Sequence, residues 1–246
     1  MNRQLLSIFL LGILFKPATA QQLYCEYKVE HNADMIENGK LLKALTLEYK
    51  GHFYFKNNKV LTYLEPLYLK QYPDGQARFE TPNGSMTNNL CTKPKQMLSV
   101  ADFDSLIERF QLDFSPRPGS NGNAECDGEL CQTKLVPGSA PWIYLNETKT
   151  ISGFHCQRAK LYGSQNQLYW DVWFTTEIKV PGSTQGLSDL QGLMVEGLNA
   201  SNQNKYMLQS YTTNIEIPDN IFWPNCFNGN FEPRRIQKKY TTTMKD

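Results

Sequence analysis

The stretch that decides the fold is a run of large side chains, Gln167-Leu-Tyr-Trp-Asp-Val-Trp-Phe-Thr175. Successive side chains of a β-strand point to opposite sides of the sheet. Tyr169, Asp171 and Trp173 therefore share one side, and Trp170 lies on the other. Because both sides are largely apolar, the run predicts a central strand rather than an edge strand.

Alternation of the same period continues on both sides of this stretch. We predict further strands at Gln22–Glu30, Thr46–Lys50, His52–Lys56, Lys59–Leu64, Arg78–Glu80, Trp142–Leu145, Thr150–Tyr162, Gly192–Leu198 and Lys205–Ile217. Asn57-Asn58 has the residue type that a two-residue hairpin turn requires. The pattern predicts one mainly β domain over residues 21–246, built as an antiparallel meander. It leaves open whether the sheet curls into a half-barrel.

One segment has the period of a helix instead. Phe103, Leu106, Ile107 and Phe110 fall at i, i+3, i+4 and i+7, which is the apolar stripe of an amphipathic helix. Ser99 is placed to cap its N-terminus. We therefore expect a single amphipathic helix packed on the sheet.

The first twenty residues have the features of a secretory signal. Arg3 precedes the apolar run Leu5–Phe15, and small residues follow up to Ala20. A basic start, a short apolar run and small residues before the cut are typical of a signal peptide. The run is too short to span a bilayer, which takes roughly 20 residues. We expect residues 1–20 to be removed, and we expect no transmembrane segment in the exported chain.

The cysteines and the charges add further limits. The chain has six cysteines, and an even number in an exported protein favours disulfides. Cys126 and Cys131 are the best local pair, and we expect them to pin a long surface loop over residues 115–140.

The chain is close to electrically neutral, with 25 Lys+Arg against 24 Asp+Glu. Near-neutrality argues against nucleic-acid binding. The basic cluster at residues 232–246 is interpreted as a solvated tail.

The sequence contains none of the common catalytic, phosphate-binding or dinucleotide-binding motifs. His155 and Cys156 are adjacent, so on a strand they point to opposite sides and cannot form a Cys/His pair. We expect no catalytic residues, no metal and no cofactor. Two carboxylates near tryptophans, Asp171 and Glu177, suggest an alternative as a hydrolase of unrecognised type. The aromatic residues around them either bind an apolar ligand or a sugar, or simply belong to the core.

Three ordered elements follow in the second half, reading Ile151-Ser-Gly153-Phe-His-Cys156-Gln-Arg-Ala159, then Trp173-Phe-Thr-Thr-Glu177-Ile, then Asp189-Leu190-Gln-Gly192-Leu193-Met-Val-Glu196. This segment resembles the GLPGLI family of exported proteins from Gram-negative bacterial envelopes. Asp189 replaces the first Gly of the family's name motif, and Gln191 replaces its Pro. The resemblance implies export to the periplasm or cell envelope and a mainly β fold, and it brings no catalytic residues.

Together these observations favour a non-enzymatic envelope protein that binds an apolar, lipid-like ligand or a protein partner. The candidate binding residues are Tyr169, Trp170, Asp171, Trp173 and Glu177.

Overall fold

A computed structural model describes residues 22–37, 40–81, 84–90, 99–111, 125–127, 130–135, 141–163, 165–181, 187, 189–213 and 215–222. The strands, in chain order, are β1 Leu23–Asn32, β2 Met35–Glu37, β3 Lys40–Lys43, β4 Thr46–Lys56, β5 Lys59–Pro66, β6 Gln76–Thr81, β7 Gly84–Asn89, β8 Ser99–Asp102, β9 Ile107–Gln111, β10 Glu125–Asp127, β11 Leu130–Lys134, β12 Trp142–Ile151, β13 Phe154–Tyr162, β14 Leu168–Thr175, β15 Leu193–Asn199 and β16 Asn204–Thr212.

Twelve of these strands form one antiparallel sheet in the order β10-β11-β9-β8-β5-β4-β1-β16-β15-β14-β13-β12. The remaining four strands form two separate hairpins, β2-β3 and β6-β7. The predicted mainly β, antiparallel fold is therefore confirmed. β10 and β12 are the two edges of the large sheet, and the sheet is not closed into a barrel. β14 is an interior strand, as the sequence predicted.

The predicted amphipathic helix is wrong. Its residues form the β8-β9 hairpin, with a turn over residues 103–106. Asp102 Oδ1 accepts hydrogen bonds from the N–H groups of Asp104 and Ser105, and Leu106 has a positive φ of 56°. The side chain of Asp102 thus gives the backbone an alternative to a helical turn. The turn also resets the two-residue period of the flanking strands, which produces the helix-like spacing.

Helical structure in the described residues is limited to two short 3-10 helices, at Tyr68–Lys70 and Asp219–Ile221. No described helix is long and apolar enough to cross a membrane.

Two-residue turns set the register of two hairpins. Asn57 and Asn58 have φ values of 49° and 55°, so the predicted β4-β5 turn is confirmed. Ser152 and Gly153, with φ values of 50° and 86°, form a second such turn between β12 and β13. The prediction of one strand over Thr150–Tyr162 is wrong at this point, because the positive φ values of Ser152 and Gly153 turn the chain back and divide the segment between β12 and β13.

The predicted loop at 115–140 also contains strands. β10 and β11 form a hairpin in which Cys126 lies directly opposite Cys131, and β11 joins the large sheet beside β9. Directly opposed residues of antiparallel strands have the Cα separation that a disulfide needs. The side chains of both cysteines lie outside the described residues, so this disulfide stays a prediction. The signal peptide at 1–20 and the basic tail at 232–246 also lie outside them.

The two sides of the large sheet differ, and we call them the core side and the outer side. The core side carries the main apolar cluster, whereas the outer side is charged over β13 to β16 and packs against residues 215–222 over β4 and β5. On β1, Leu23, Cys25, Tyr27 and Val29 point to the core side and are at most 2% exposed. The main core cluster takes side chains from β1, β4, β5 and β8 and from β12 to β16. The segment between β14 and β15 adds four buried residues to it, Ile178, Val180, Leu187 and Leu190.

The entry into β15 is held by a close approach to β14. Gly192 has a φ of 151°, and a Cβ atom there would press against the carbonyl oxygen of Thr175 and lie 2.9 Å from its carbonyl carbon. Three residues further along, the register between β14 and β15 shifts around Val195, which forms a bulge. The buried hydroxyl of Tyr27 donates a 2.7 Å hydrogen bond to the carbonyl of Met194 beside this bulge.

Replacing Gly192 with Ala should destabilise the protein by about 1–3 kcal/mol, because the new methyl group forces the backbones of β14 and β15 apart. The free energy of unfolding from urea titration measures the effect. Gly153→Ala is the matched control, since Gly153 also has a positive φ but no atom within 4 Å of the new Cβ. An equal loss for both variants would show that backbone strain, and not the contact with Thr175, explains the requirement.

Candidate functional site

The structure separates the aromatic residues of β14. Trp170 points to the core side, is 4% exposed, and packs against Tyr206 with ring centroids 5.4 Å apart. Asp171 and Trp173 are partly buried on the outer side. Tyr169 is 37% exposed and sits where the β13-β14 register shifts. Of the predicted binding residues, Asp171 and Trp173 therefore share one surface, and Trp170 belongs to the core.

A depression of about 290 Å³ lies on the outer side of β13 to β16. Its lining consists of Arg158, Asp171, Trp173, Glu196, Gly197, Leu198, Lys205, Tyr206 and Met207. We call this surface the Trp173 depression. Its size is at the lower limit of pockets that enclose drug-sized ligands, so it is a shallow recognition surface rather than a cavity that engulfs a molecule.

The centre of the depression is one row of directly opposed residues. Arg158 on β13 lies opposite Trp173 on β14, Trp173 lies opposite Glu196 on β15, and Glu196 lies opposite Met207 on β16. Directly opposed residues of antiparallel strands project from the same side of the sheet. The strand register thus assembles, side by side, four residues that are far apart in the sequence.

Arg158 fixes the polar part of this surface. Its Nε and Nη2 donate hydrogen bonds of 2.8 and 2.6 Å to the two carboxylate oxygens of Asp171, and its Nη1 donates one of 2.8 Å to Glu147. The hydrogen bonds to Asp171 and Glu147 raise the pKa of Arg158. A bidentate arginine–carboxylate pair is a strong and well-oriented contact, so Asp171 is held in place as an acceptor.

Trp173 is flanked by cations. Lys149 Nζ lies 4.4 Å from the ring centroid and the guanidinium carbon of Arg158 lies 5.8 Å from it, both within the range of cation–π attraction. Lys149 also forms a 2.7 Å ion pair with Glu196. These contacts hold the indole in a fixed position while leaving part of it accessible at the surface.

Glu177 is not in the depression. It is exposed in the segment after β14, and its Oε1 accepts a 2.8 Å hydrogen bond from the backbone N–H of His155. It therefore joins the end of β14 to the start of β13.

The residues of the family-like motif serve mainly to build β12 to β15. Cys156, Ala159, Leu190 and Leu193 are buried, and their exposed fractions are at most 1%. Gly153 and Gly192 have the positive φ values described above. Among the motif residues of the resemblance, Trp173 and Glu196 are the ones that line the depression.

A second cluster, which the sequence prediction missed, lies on the outer side of β1, β4 and β5. His52 is 8% exposed, its Nδ1 lies 2.9 Å from the hydroxyl oxygen of Tyr24, and its Nε2 lies 3.3 Å from Glu65 Oε2. The ring of His52 stacks on Tyr63 with centroids 4.2 Å apart. No single strand reveals this cluster, because its members meet only after three strands pair.

The tyrosines of this cluster are unsuited to act as nucleophiles. Burial raises the pKa of Tyr54 to about 12, and burial together with neighbouring hydroxyl and carboxylate groups raises the pKa of Tyr24 and of Tyr63. An activated nucleophile needs the opposite shift. In the described part of the chain, no group of three or more His, Cys, Asp or Glu side chains is arranged to hold a metal ion.

Comparison with known proteins gives limited similarity. No protein-family model matches the chain, and no curated protein matches it. A crystal structure of PNGF-II aligns with 84% of this chain at 14% identity and a TM-score of 0.46, and this chain spans 31% of the PNGF-II chain. A protein of the DUF1329 family from Desulfovibrio piger aligns with 85% of this chain and 92% of its own, at 10% identity and a TM-score of 0.27. Such similarities identify no function or site residue in this chain.

The expectation that the cysteines form disulfides is wrong for two of them. Cys25 and Cys156 are free, buried thiols. Burial raises the pKa of Cys25 and raises that of Cys156 to about 11. Since the thiolate is the reactive form, both thiols should be inert in the native fold.

We expect maleimide at pH 7.5 to label neither Cys25 nor Cys156 in the folded protein and to label both after denaturation. Peptide mass spectrometry measures the labelled fraction at each position. Ser152→Cys, at an exposed turn position, serves as the positive control. Rapid native labelling of Cys156 would mean that the surface above it opens.

Proposed function

We propose that this chain is an exported, non-enzymatic protein of a Gram-negative cell envelope, and that it binds a protein partner through the Trp173 depression. Export is supported by the basic and apolar start of the sequence. Envelope location is supported by the GLPGLI-like motif. The observation that carries the binding proposal is a partly exposed tryptophan, held by two cations, at the centre of a charged recess.

Membership of the GLPGLI family is part of the same proposal. Asp189 stands where the family has its first Gly, and it has a φ of 70°. Asp tolerates this left-handed conformation better than most side chains. The substitution therefore keeps the backbone conformation for which a glycine is suited, and Gly192 occupies the position of the second Gly.

A protein partner is favoured over an apolar small molecule. The core side is packed with the chain's own aromatic and aliphatic side chains, and the segment between β14 and β15 packs into it. The depression instead combines Trp, Met and Leu side chains with a charged rim of Arg, Lys, Asp and Glu. An apolar centre within a polar rim is the usual anatomy of a protein interface, and Trp and Arg are frequent among the residues that dominate binding energy.

The test is affinity purification of the tagged chain from its native envelope under mild conditions, followed by mass spectrometry of proteins and lipids. Trp173→Ala should reduce recovery of the partner at least roughly tenfold, as expected for a central interface residue. Tyr169→Ala is the matched control, because Tyr169 is an exposed aromatic residue on the same strand outside the depression.

Retention of the same protein by the Trp173→Ala variant would contradict the proposed surface. Recovery of a stoichiometric lipid and no protein partner would contradict the choice of ligand and support the apolar alternative.

A further inference from the structure

The cluster around His52 forms a continuous chain of hydrogen bonds across three strands. From one end to the other it runs Glu65–His52–Tyr24–Glu26–Lys50. The hydroxyl of Tyr24 donates a 2.7 Å hydrogen bond to Glu26 Oε1, and Lys50 Nζ lies 2.6 Å from the same oxygen. β1 supplies Tyr24 and Glu26, β4 supplies Lys50 and His52, and β5 supplies Glu65.

The number of protons in this chain determines the state of His52. Tyr24 has one hydroxyl proton, which it gives to the carboxylate of Glu26. Its oxygen can therefore only accept at the 2.9 Å contact with His52, so Nδ1 must carry a proton. At the other end the carboxylate of Glu65 can only accept, so Nε2 must carry a proton as well.

We propose that His52 donates a hydrogen bond from each of its two ring nitrogens, to Tyr24 and to Glu65, and so clamps β1, β4 and β5 together. The clamp lies next to the place where residues 215–222 pack on the sheet. Ile217, Ile221 and Phe222 of that segment pack into one buried cluster with Tyr54 and Tyr63, next to the rings that contact His52. This inference is independent of the proposed binding function.

The groups around His52 fit a ring that donates at both nitrogens. Two carboxylates lie on its two sides, Glu65 in direct contact and Glu26 through Tyr24, and Lys50 is paired with Glu26 on the far side. The other titratable neighbours are the tyrosines 24, 54 and 63, which burial keeps protonated and uncharged. In the 215–222 segment, Asp219 is already paired with Lys56 at 3.0 Å.

The two carboxylates of this chain have pKa values that are lower than usual. The hydrogen bond from His52 holds the pKa of Glu65 below its ordinary value. Burial raises the pKa of Glu26, but the hydrogen bonds from Lys50 and Tyr24 outweigh burial and lower it. A carboxyl with a lowered pKa stabilises the fold above its ordinary pKa, and this contribution is lost as the pH falls through its folded value.

Ring-nitrogen NMR of the ¹⁵N-labelled full chain tests the state of His52 directly. The chain has three histidines, so His31→Gln and His155→Gln variants assign the spectrum while leaving His52 intact. At pH 7 both nitrogens of His52 should have the chemical shifts of protonated nitrogens. Tyr24→Phe, which removes the acceptor at Nδ1, should return one of them to the shift of an unprotonated nitrogen. One unprotonated nitrogen in the wild-type spectrum at pH 7 would overturn the proposal.

Thermal unfolding tests the consequence. At pH 7 the Tm of His52→Gln should lie roughly 2–4 °C below that of the wild type, which is about what one hydrogen bond is worth in a chain of this size. His155→Gln, at an exposed histidine, should retain the wild-type Tm. A wild-type Tm for His52→Gln would overturn the clamp.

Discussion

The two-residue alternation of side chains along paired strands is the constraint on which the rest of this structure depends. It places Leu23, Cys25 and Tyr27 on the core side of β1 and leaves the opposite side to charged residues. A slip of one residue between two strands would exchange these sides. With no α-helix among the described residues, burial of the apolar side depends on the sheet itself and on the segment between β14 and β15.

The same alternation explains which parts of the fold the sequence could predict. The period of two correctly indicated β1 and β14, and Asn57-Asn58 correctly indicated a hairpin turn. The spacing of apolar residues over Phe103–Phe110 wrongly indicated a helix, because a turn held by Asp102 separates two short strands there. The alternation also gave no sign of the turn at Ser152-Gly153, because strand-like residues flank this turn on both sides.

The candidate sites depend on information that a single sequence does not carry. Asp171 and Trp173 could be chosen because they alternate within one strand. Arg158 and Met207 could not, since they join Trp173 only through the registers of three separate strand pairs. His52 is a stronger case, because its partners come from β1 and β5 and nothing beside it in the sequence distinguishes it. The physical reason is that cross-strand contacts are long-range, whereas sequence patterns report local geometry.

The edge strand β12 has a consequence for how this protein behaves at high concentration. Its pairing with β13 is interrupted between Tyr144 and Thr148, and its charged side chains at Glu147 and Lys149 are held across the outer side by Arg158 and Glu196. An open sheet exposes unpaired backbone groups that invite another chain to add a strand, and bulges and charges at the edge oppose this. The irregularity and the paired charges at β12 therefore oppose the addition of a further strand at this edge of the sheet.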